Sequence, residues 1–217
     1  ILRAKNITDL FDWSLALAQQ PLPNGGNIAI VTNSGGPGSS MADEANRCGL
    51  HVPLLPQNIQ DEIKAITPFT AAPVNPVDIT MNYDLELIYK KLPEIMLQLQ
   101  EIDGMLFYGI FGTIHFREKM ALTGTPAEQN LQRMESELEK VCNEFVKLPE
   151  KLKKPILCAC FSGREDDAVV RIQDGGIPVY PTPERAAGAM AALWEYAKIR
   201  EKNRHKSSEE ENDGHNR

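Results

Sequence analysis

The sequence contains no apolar run that approaches the ~20 residues of a membrane-spanning helix, and no signal peptide opens it. Basic residues are not in excess: the net charge is −7, the pI is about 5.2, and no stripe of Lys and Arg alternates with aromatic residues. These absences argue against a membrane span and against a nucleic-acid-binding surface in these residues. Because the chain begins with Ile1 rather than Met, we expect it to be a piece of a longer protein.

Cysteine is also scarce, with four residues in 217 and no C-x-x-C pair. The two that stand closest, Cys158 and Cys160, alternate along an apolar strand and therefore point to opposite faces of a sheet. They cannot hold one metal ion in a regular strand, and no H-x-x-x-H spacing is present. We therefore predict no metal site, buried reduced thiols and a cytoplasmic location.

The most informative stretch is residues 27–46, NIAIVTNSGGPGSSMADEAN. Its start, Ile28–Val31, is typical of a buried parallel strand. A glycine-rich turn follows, and then a helix for which Ser39 is the predicted cap. This order of elements aims free backbone N–H groups and the positive end of a helix dipole at an anion. The sequence therefore predicts a phosphate site in the turn.

The candidate phosphate-binding residues are Asn33, Ser34, Gly35, Gly36, Gly38 and Ser39. The turn has neither the G-x-G-x-x-G spacing of dinucleotide-binding folds nor the G-x-x-x-x-G-K-[ST] spacing of P-loops. A plain connection between strand and helix is the alternative, because such turns are often rich in glycine.

Apolar strands alternate with amphipathic helices along most of the chain, which predicts an α/β fold with a doubly wound parallel sheet. Strands are predicted at residues 28–31, 50–55, 75–80, 104–110, 155–161 and 177–180. Helices are predicted at residues 1–20 (capped by Thr8), 39–48, 56–66, 84–100 (kinked at Pro93), 127–148, 162–172 and 183–199 (capped by Thr182), and a loop at 116–126.

The predicted domain organisation follows from composition. Residues 21–26, PLPNGG, are dense in proline and glycine, so residues 1–22 are assigned to the end of a preceding domain and its linker. Residues 23–200 form the α/β domain. Residues 201–217 are almost wholly polar and are predicted to be a disordered tail.

Three polar turns, residues 33–39, 78–82 and 112–115, are predicted to meet at the carboxyl edge of the sheet, where ligands of such folds bind. Asp78 ends a strand there and is a candidate site residue. His115 is the one histidine placed near this edge, either as a substrate contact or as a solvated loop residue. Residues 165–167, all acidic, are explained as the first turn of a helix.

The motifs Val31–Gly38 (VTNSGGPG), Ala42–Asp43 and Asn75–Asp78 (NPVD) resemble the flavodoxin-like domain of NDP-forming acyl-CoA synthetases. These enzymes, the ADP-forming acetate–CoA ligases, are relatives of succinyl-CoA synthetase. Residues 1–25 are similar to the lead-in to this domain, and residues 176–184 to its last strand and helix. The resemblance implies a succinyl-CoA synthetase-like three-layer sandwich.

The resemblance also implies a reaction: acyl-CoA, phosphate and ADP are converted to acid, CoA and ATP through an acyl phosphate and a phosphohistidine. The turn Ser34–Ser39 would start the helix that stabilises the phosphoryl group. Gly112, Thr113 and Ile114 are similar in position to a loop that receives the carboxylate of the acid. With Asn75 and Asp78 of the second motif, they are the candidate substrate-binding residues.

The resemblance further implies that this chain holds no catalytic residue, because the phosphohistidine loop would precede Ile1. The parent enzyme would use CoA, ATP or ADP, phosphate and Mg²⁺, none of them bound by this chain alone. Its partners would be a CoA-binding domain, an ATP-grasp domain or subunit, and a small carboxylic acid. Ser39 and Ser40 depart from the aliphatic pair that is common in the family. The alternative is a non-catalytic binding or regulatory module, such as the synthetase-like region of some protein acetyltransferases.

Overall fold

A computed structural model of the chain describes residues 1–117 and 128–214. Its centre is a five-stranded, all-parallel sheet with the order β2-β1-β3-β4-β5. The strands are β1 (Ile28–Thr32), β2 (Val77–Asp78), β3 (Gly104–Tyr108), β4 (Ile156–Ala159) and β5 (Val179–Tyr180). The three central strands are buried almost throughout, as expected for continuous apolar runs covered on both faces. The predicted doubly wound α/β fold is confirmed.

The predicted strand at residues 50–55 is wrong. His51 forms a single bridge with Asn27, and no ladder continues from it. The physical reason is the pair of prolines at positions 53 and 56, which have no N–H to donate to a neighbouring strand.

Helices cover both faces of the sheet and give three layers. They are α1 (Ile7–Gln19), α2 (Gly35–Arg47), α3 (Gln57–Ile66), α4 (Leu92–Leu97), α5 (described over residues 113–117), α6 (Glu128–Phe145), α7 (Leu148–Leu152), α8 (Asp167–Asp174) and α9 (Pro183–Gly214). One face is packed by α1, α2 and α9, and the other by α3, α4, α6 and α8. The sequence predicts a loop at residues 116–126 and a helix from residue 127. Residues 118–127 of these two segments lie outside the described residues.

The helix predicted at residues 84–100 is interrupted by one wide turn. Leu87–Lys91 is a π-helical turn, closed by a hydrogen bond from the Leu92 N–H to the Leu87 carbonyl, and α4 begins immediately after it. Pro93, which has no N–H to donate, stands in the first turn of α4, directly after this wide turn. The chain therefore accommodates Pro93 by widening the preceding turn rather than by ending the helix.

The structure of both ends of the chain differs from the prediction. Residues 1–22, assigned from composition to a preceding domain, contribute α1 to this core, with Ala16 fully buried against α9. Asn6 caps α1 by accepting a hydrogen bond from the Asp9 N–H, in place of the predicted Thr8. At the other end, α9 continues to Gly214 through most of the segment predicted as a polar tail.

Candidate functional site

The glycine-rich turn after β1 is the first turn of α2 itself. Ser34 is the cap residue and the helix starts at Gly35, so the prediction of Ser39 as cap is wrong. The helix starts early because Pro37 falls in its first turn, where its fixed φ is favourable and no N–H is needed. The Ser34 side chain makes no capping hydrogen bond, and no acidic residue occupies this turn. Gly35 and Gly36 are exposed, so their N–H groups, which have no intrahelical partner, point to solvent.

Thr32 fixes the chain where the strand enters this helix. Its hydroxyl donates to the Ser34 carbonyl at 2.7 Å and accepts from the Ser34 N–H at 3.1 Å. Gly38 packs on the same threonine: a Cβ at position 38 would lie 2.6 Å from Thr32 Cγ2. The Gly38 N–H donates to the Ser34 carbonyl at 3.3 Å. Gly38 therefore serves packing, and Ser39, one residue further along the helix, lies beyond the free N–H groups.

Asn33 carries an unpaired donor at the carboxyl end of β1. Its side chain is 1% exposed, and Nδ2 has no hydrogen-bond partner. Its backbone is held on both sides, since its N–H donates to the Tyr108 carbonyl and its carbonyl accepts from the Met81 N–H. Gly109, at φ +138, allows the β3 loop to approach, because a Cβ there would lie 3.1 Å from Asn33 Cγ. A buried NH₂ without an acceptor costs about 1–3 kcal/mol, so this position favours a ligand that supplies one.

Asp78 lies beside the same helix start. Its Oδ1 accepts from the Thr80 N–H at 2.9 Å, and its Oδ2 is the nearest atom to the space beside Gly35. Thr80 and Met81 both have positive φ, 47° and 58°. Such consecutive left-handed residues are strained and are held here by the Met81–Asn33 hydrogen bond. The structure therefore brings Asp78 to the predicted edge, as a negative charge next to the free N–H groups.

Asn75 is not brought to this edge. Its Oδ1 accepts from the Ile30 N–H at 2.8 Å, and its Nδ2 donates to the carbonyls of Ile28 and Pro53. Every one of these bonds lies toward the amino end of β1, away from the glycine-rich turn. The Asn75 side chain is thus part of the framework and has no donor left for a substrate.

The predicted carboxylate loop is already filled by carboxylates of the chain. The Gly112 N–H donates to Asp166 Oδ2 at 3.1 Å, and the N–H and hydroxyl of Thr113 both donate to Asp167 Oδ1, at 2.7 and 3.0 Å. Gly112 has no room for a Cβ, which would collide with both aspartates. Of these three residues only Ile114, 42% exposed, is largely open to solvent.

Asp166 is the residue that sequence reasoning missed. It caps α8 through hydrogen bonds from Ala168 and Val169, as an acidic first turn would. It also reaches His115, whose Nδ1 lies 3.1 Å from its Oδ2. Its side chain is 1% exposed, whereas that of His115 is 34% exposed. Since more than fifty positions separate the two residues along the chain, no local spacing signals this contact.

The loops around this edge are joined by an aromatic cluster, Tyr83, Phe111, Phe116 and His115, with ring centroids 5.2–6.0 Å apart. Below it, the Tyr89 hydroxyl accepts from the Phe111 N–H at 3.2 Å. Burial raises the pKa of Tyr89 well above its usual range, so its phenol remains neutral. The loop after β3 is thereby anchored in the core.

Metal binding and membrane insertion receive no support from the residues described. Within ranges 1–117 and 128–214, no three His, Cys, Asp or Glu side chains converge on a common point. The four cysteines are free, and burial raises the pKa of Cys142 to about 12 and that of Cys160 as well. No helix in those ranges is long and apolar enough to cross a membrane.

This fold, with an uncapped glycine-rich helix start at the carboxyl edge of a parallel sheet, defines a succinyl-CoA synthetase-like α/β domain. The chain is related over nearly all of its length to ADP-forming acyl-CoA ligases. It is 29% identical over 95% of its length to the alpha subunit of the ADP-forming acetate–CoA ligase I of Pyrococcus furiosus, of which it spans 40%. It is 30% identical over 94% of its length to the ADP-forming acetate–CoA ligase I of Archaeoglobus fulgidus, of which it spans 26%.

A solved structure of an acetyl-coenzyme A synthetase is also similar to this chain, in sequence and in fold. The dinucleotide-forming acetyl-coenzyme A synthetase 1 of Ca. Korarchaeum cryptofilum, in complex with phosphate and ADP, superposes with a TM-score of 0.70 at 28% identity. The match covers 93% of this chain and 39% of that one. No family model matches the chain. The chain thus corresponds to about two fifths or less of the proteins it resembles.

Proposed function

We propose that this chain is the phosphate-side domain of an ADP-forming acyl-CoA synthetase, which interconverts acyl-CoA, phosphate and ADP with acid, CoA and ATP. The observation that carries the proposal is the unpaired Nδ2 of buried Asn33 beside the free N–H groups of Gly35 and Gly36. A phosphoryl oxygen would accept from these donors, and the dipole of α2 would favour its charge. The relatives named as ADP-forming ligases, and the neighbour in complex with phosphate and ADP, support this reading.

We infer a phosphate site made of Asn33, Ser34, Gly35 and Gly36, without Gly38, which packs on Thr32, and without Ser39. Preorganised donors of this kind stabilise charge that develops in a transition state. The phosphohistidine, a CoA-binding domain and an ATP-grasp domain or subunit would lie outside these residues. The parent enzyme would use CoA, ATP or ADP, phosphate and Mg²⁺, and its acid would be a small carboxylic acid. We place it in the cytoplasm, where its free thiols remain reduced.

The test uses the native full-length protein with its partner subunits. It is incubated with γ-labelled ATP and magnesium, and protein-bound phosphate that is labile to acid and stable to base is measured. We expect label that is discharged by acetate and CoA. In Asn33→Ala we expect the affinity for inorganic phosphate to fall about tenfold or more, the value of a hydrogen bond to a charged group. Asn24→Ala, at an exposed asparagine, is the matched control.

The outcomes are distinct. A folded wild-type protein that takes no label with its partners present contradicts the ligase proposal. In the other outcome, the Asn33→Ala and Asn24→Ala variants form equal amounts of label and keep the phosphate affinity of the wild type. That result would be consistent with a ligase but would contradict a phosphate site at the start of α2.

The second candidate function is a non-catalytic synthetase-like module. The observation that favours it is the occupation of the Gly112 and Thr113 donors by Asp166 and Asp167, which leaves those amides unavailable to a substrate carboxylate. Such a module would bind phosphate in the experiment above without taking label. Phosphate binding that depends on Asn33, in a protein that never becomes labelled, would favour this function.

A further inference from the structure

His115 and Asp166 form a histidine–carboxylate pair of the kind that orients an imidazole. Asp166 accepts hydrogen bonds from the N–H groups of Gly112, Ala168 and Val169 as well as facing His115 Nδ1. These bonds fix the position of the buried carboxylate, so Nδ1 carries the proton that it donates to Asp166. In the neutral ring with its proton on Nδ1, Nε2 carries a lone pair, and Nε2 makes no hydrogen bond to the described parts of the chain.

This pair lies on the same edge of the sheet as the proposed phosphate site. The loop that leads from β3 to His115 touches Asn33 through Gly109 and, through the Gly112–Asp166 hydrogen bond, touches the start of α8, the helix that follows β4. β3 lies between β1 and β4, so two strand spacings, about 10 Å, separate the positions above the two outer strands. The proposed phosphate site and the His115–Asp166 pair therefore belong to neighbouring loops at one edge of the sheet.

The charges around His115 favour one kind of proton transfer over another. Glu165, Asp166 and Asp167 all stand at the start of α8. The cations nearest to them along the chain have other partners: Arg164 faces Asp174 at 3.1 Å, and Arg171 faces Glu139 at 3.7 Å. A second anion is therefore disfavoured next to Nε2, whereas a neutral donor that gives up a proton is favoured. The lone pair on Nε2 can accept a proton, and the contact between Nδ1 and Asp166 orients the imidazole ring, as is required of a general base.

We propose that His115 is a catalytic general base for thiol attack and that Asp166 is its positioning residue. The inference rests on the proposed ligase function, in which a thiol must lose its proton to become a thioester. In this step the CoA S–H bond breaks and its proton goes to His115 Nε2. The sulfur electron pair forms the C–S bond to the acyl carbon, and the C–O bond to phosphate breaks with its electron pair leaving on phosphate. The proton on His115 then passes to solvent.

The test separates two half-reactions of the full-length protein with its partner subunits. Exchange of label between ADP and ATP, without CoA, reports the phosphoryl steps alone. Formation of acetyl-CoA from acetyl phosphate and CoA reports the step assigned to His115. The variant is His115→Gln, and the control is His51→Gln, at an exposed histidine near the amino end of β1.

We expect His115→Gln to lower the kcat of acetyl transfer about 100-fold, the low end for loss of a general base. We also expect ADP–ATP exchange and the thermal unfolding midpoint to stay within twofold and within a few degrees of wild type. His51→Gln should change neither reaction. Added imidazole should restore part of the acetyl transfer in His115→Ala, which a structural role would not allow.

Other results overturn the inference. Equal rates of acetyl transfer in wild type and His115→Gln, or an equal loss of both half-reactions in His115→Gln, remove His115 from the chemistry while the ligase function stands. A wild-type protein that performs neither half-reaction overturns the ligase function and this inference with it.

Discussion

Arg185 of α9 holds Asp12 of α1 with two hydrogen bonds, one from Nε to Oδ2 at 2.7 Å and one from NH2 to Oδ1 at 2.6 Å. The Tyr180 hydroxyl donates to the Asp12 carbonyl at 2.8 Å. Asp12 is almost fully buried, and hydrogen bonding to its carboxylate is the main reason that the pKa of Arg185 is raised. This pair fastens the first helix to the last one.

Replacing Arg185 by Leu should lower the free energy of unfolding by about 2 kcal/mol. The substitution leaves a buried carboxylate without its partner, and the partial exposure of Arg185 reduces the loss from the full value for a buried pair. Urea unfolding of the wild type, Arg185→Leu and Arg185→Lys measures it. Lysine cannot reproduce the two-pronged geometry, so recovery of full stability by Arg185→Lys would contradict this account.

Gly38→Ala should destabilise the protein by about 1–3 kcal/mol, the usual cost of overpacking. The new methyl would meet Thr32 Cγ2. Thr32→Ser removes that methyl and keeps the hydroxyl that bonds Ser34. The Thr32→Ser/Gly38→Ala double variant should therefore be more stable than Gly38→Ala alone. Thermal unfolding of the four proteins checks the coupling, and strictly additive effects would speak against the contact.

Asp78→Asn should raise the affinity for inorganic phosphate about threefold to fivefold. The carboxylate beside Gly35 repels an anion at the start of α2, and a charge in this position is worth up to about 1 kcal/mol. Isothermal titration at low ionic strength measures it, and the gain should shrink as salt is added. A loss of affinity in Asp78→Asn would indicate that the carboxylate contacts the ligand through a proton or a cation.

The stability of the protein should decline at alkaline pH. Burial raises the pKa of Cys142 from 9.0 to about 12, so the folded state holds this proton more tightly than the unfolded chain. This stabilisation is complete below pH 9 and is lost as the pH rises from 9 toward 12. Cys142→Ala should reduce the slope of the unfolding free energy in this window by about 1.4 kcal/mol per pH unit.

The control for this prediction is Cys48→Ala, at an exposed thiol. An equal slope in the wild type and Cys142→Ala, measured by urea unfolding at several pH values, would contradict the assignment to Cys142.

The parts of the fold that follow local rules were predictable. The buried strands are continuous apolar runs, and Thr182 before Pro183 marks the start of α9. The start of α2 was misjudged because Ser34 and Ser39 are both good caps, and only the place of Pro37 in the first turn decides between them. The prediction of a strand at residues 50–55 was wrong because the prolines at positions 53 and 56 have no N–H for a ladder, although the segment is apolar.

The candidate site could be inferred from the sequence only where a single segment contributes its residues. Asn33, Ser34, Gly35 and Gly36 are consecutive, so their convergence can be read from the chain. The hydrogen bonds that join Asp166 to Gly112 and His115 connect segments that follow different strands. No residue pattern in either segment predicts contact with the other. The framework role of Asn75 cannot be predicted for the same reason, because its partners, Ile28, Ile30 and Pro53, are distant from it along the chain.

The side chain of Asn75 affects the edge of β1 on which a strand of another chain could pair. Beyond its two residues, β2 leaves Ile28 and Ile30 of β1 without a strand neighbour on that side, and the Asn75 amide pairs with the Ile28 carbonyl and the Ile30 N–H in its place. Open strand edges are templates on which another chain can add a strand. The Asn75 amide, together with the His51 carbonyl that accepts from the Ile28 N–H, thus occupies backbone groups of β1 on which another strand could pair, at a point that β2 does not reach.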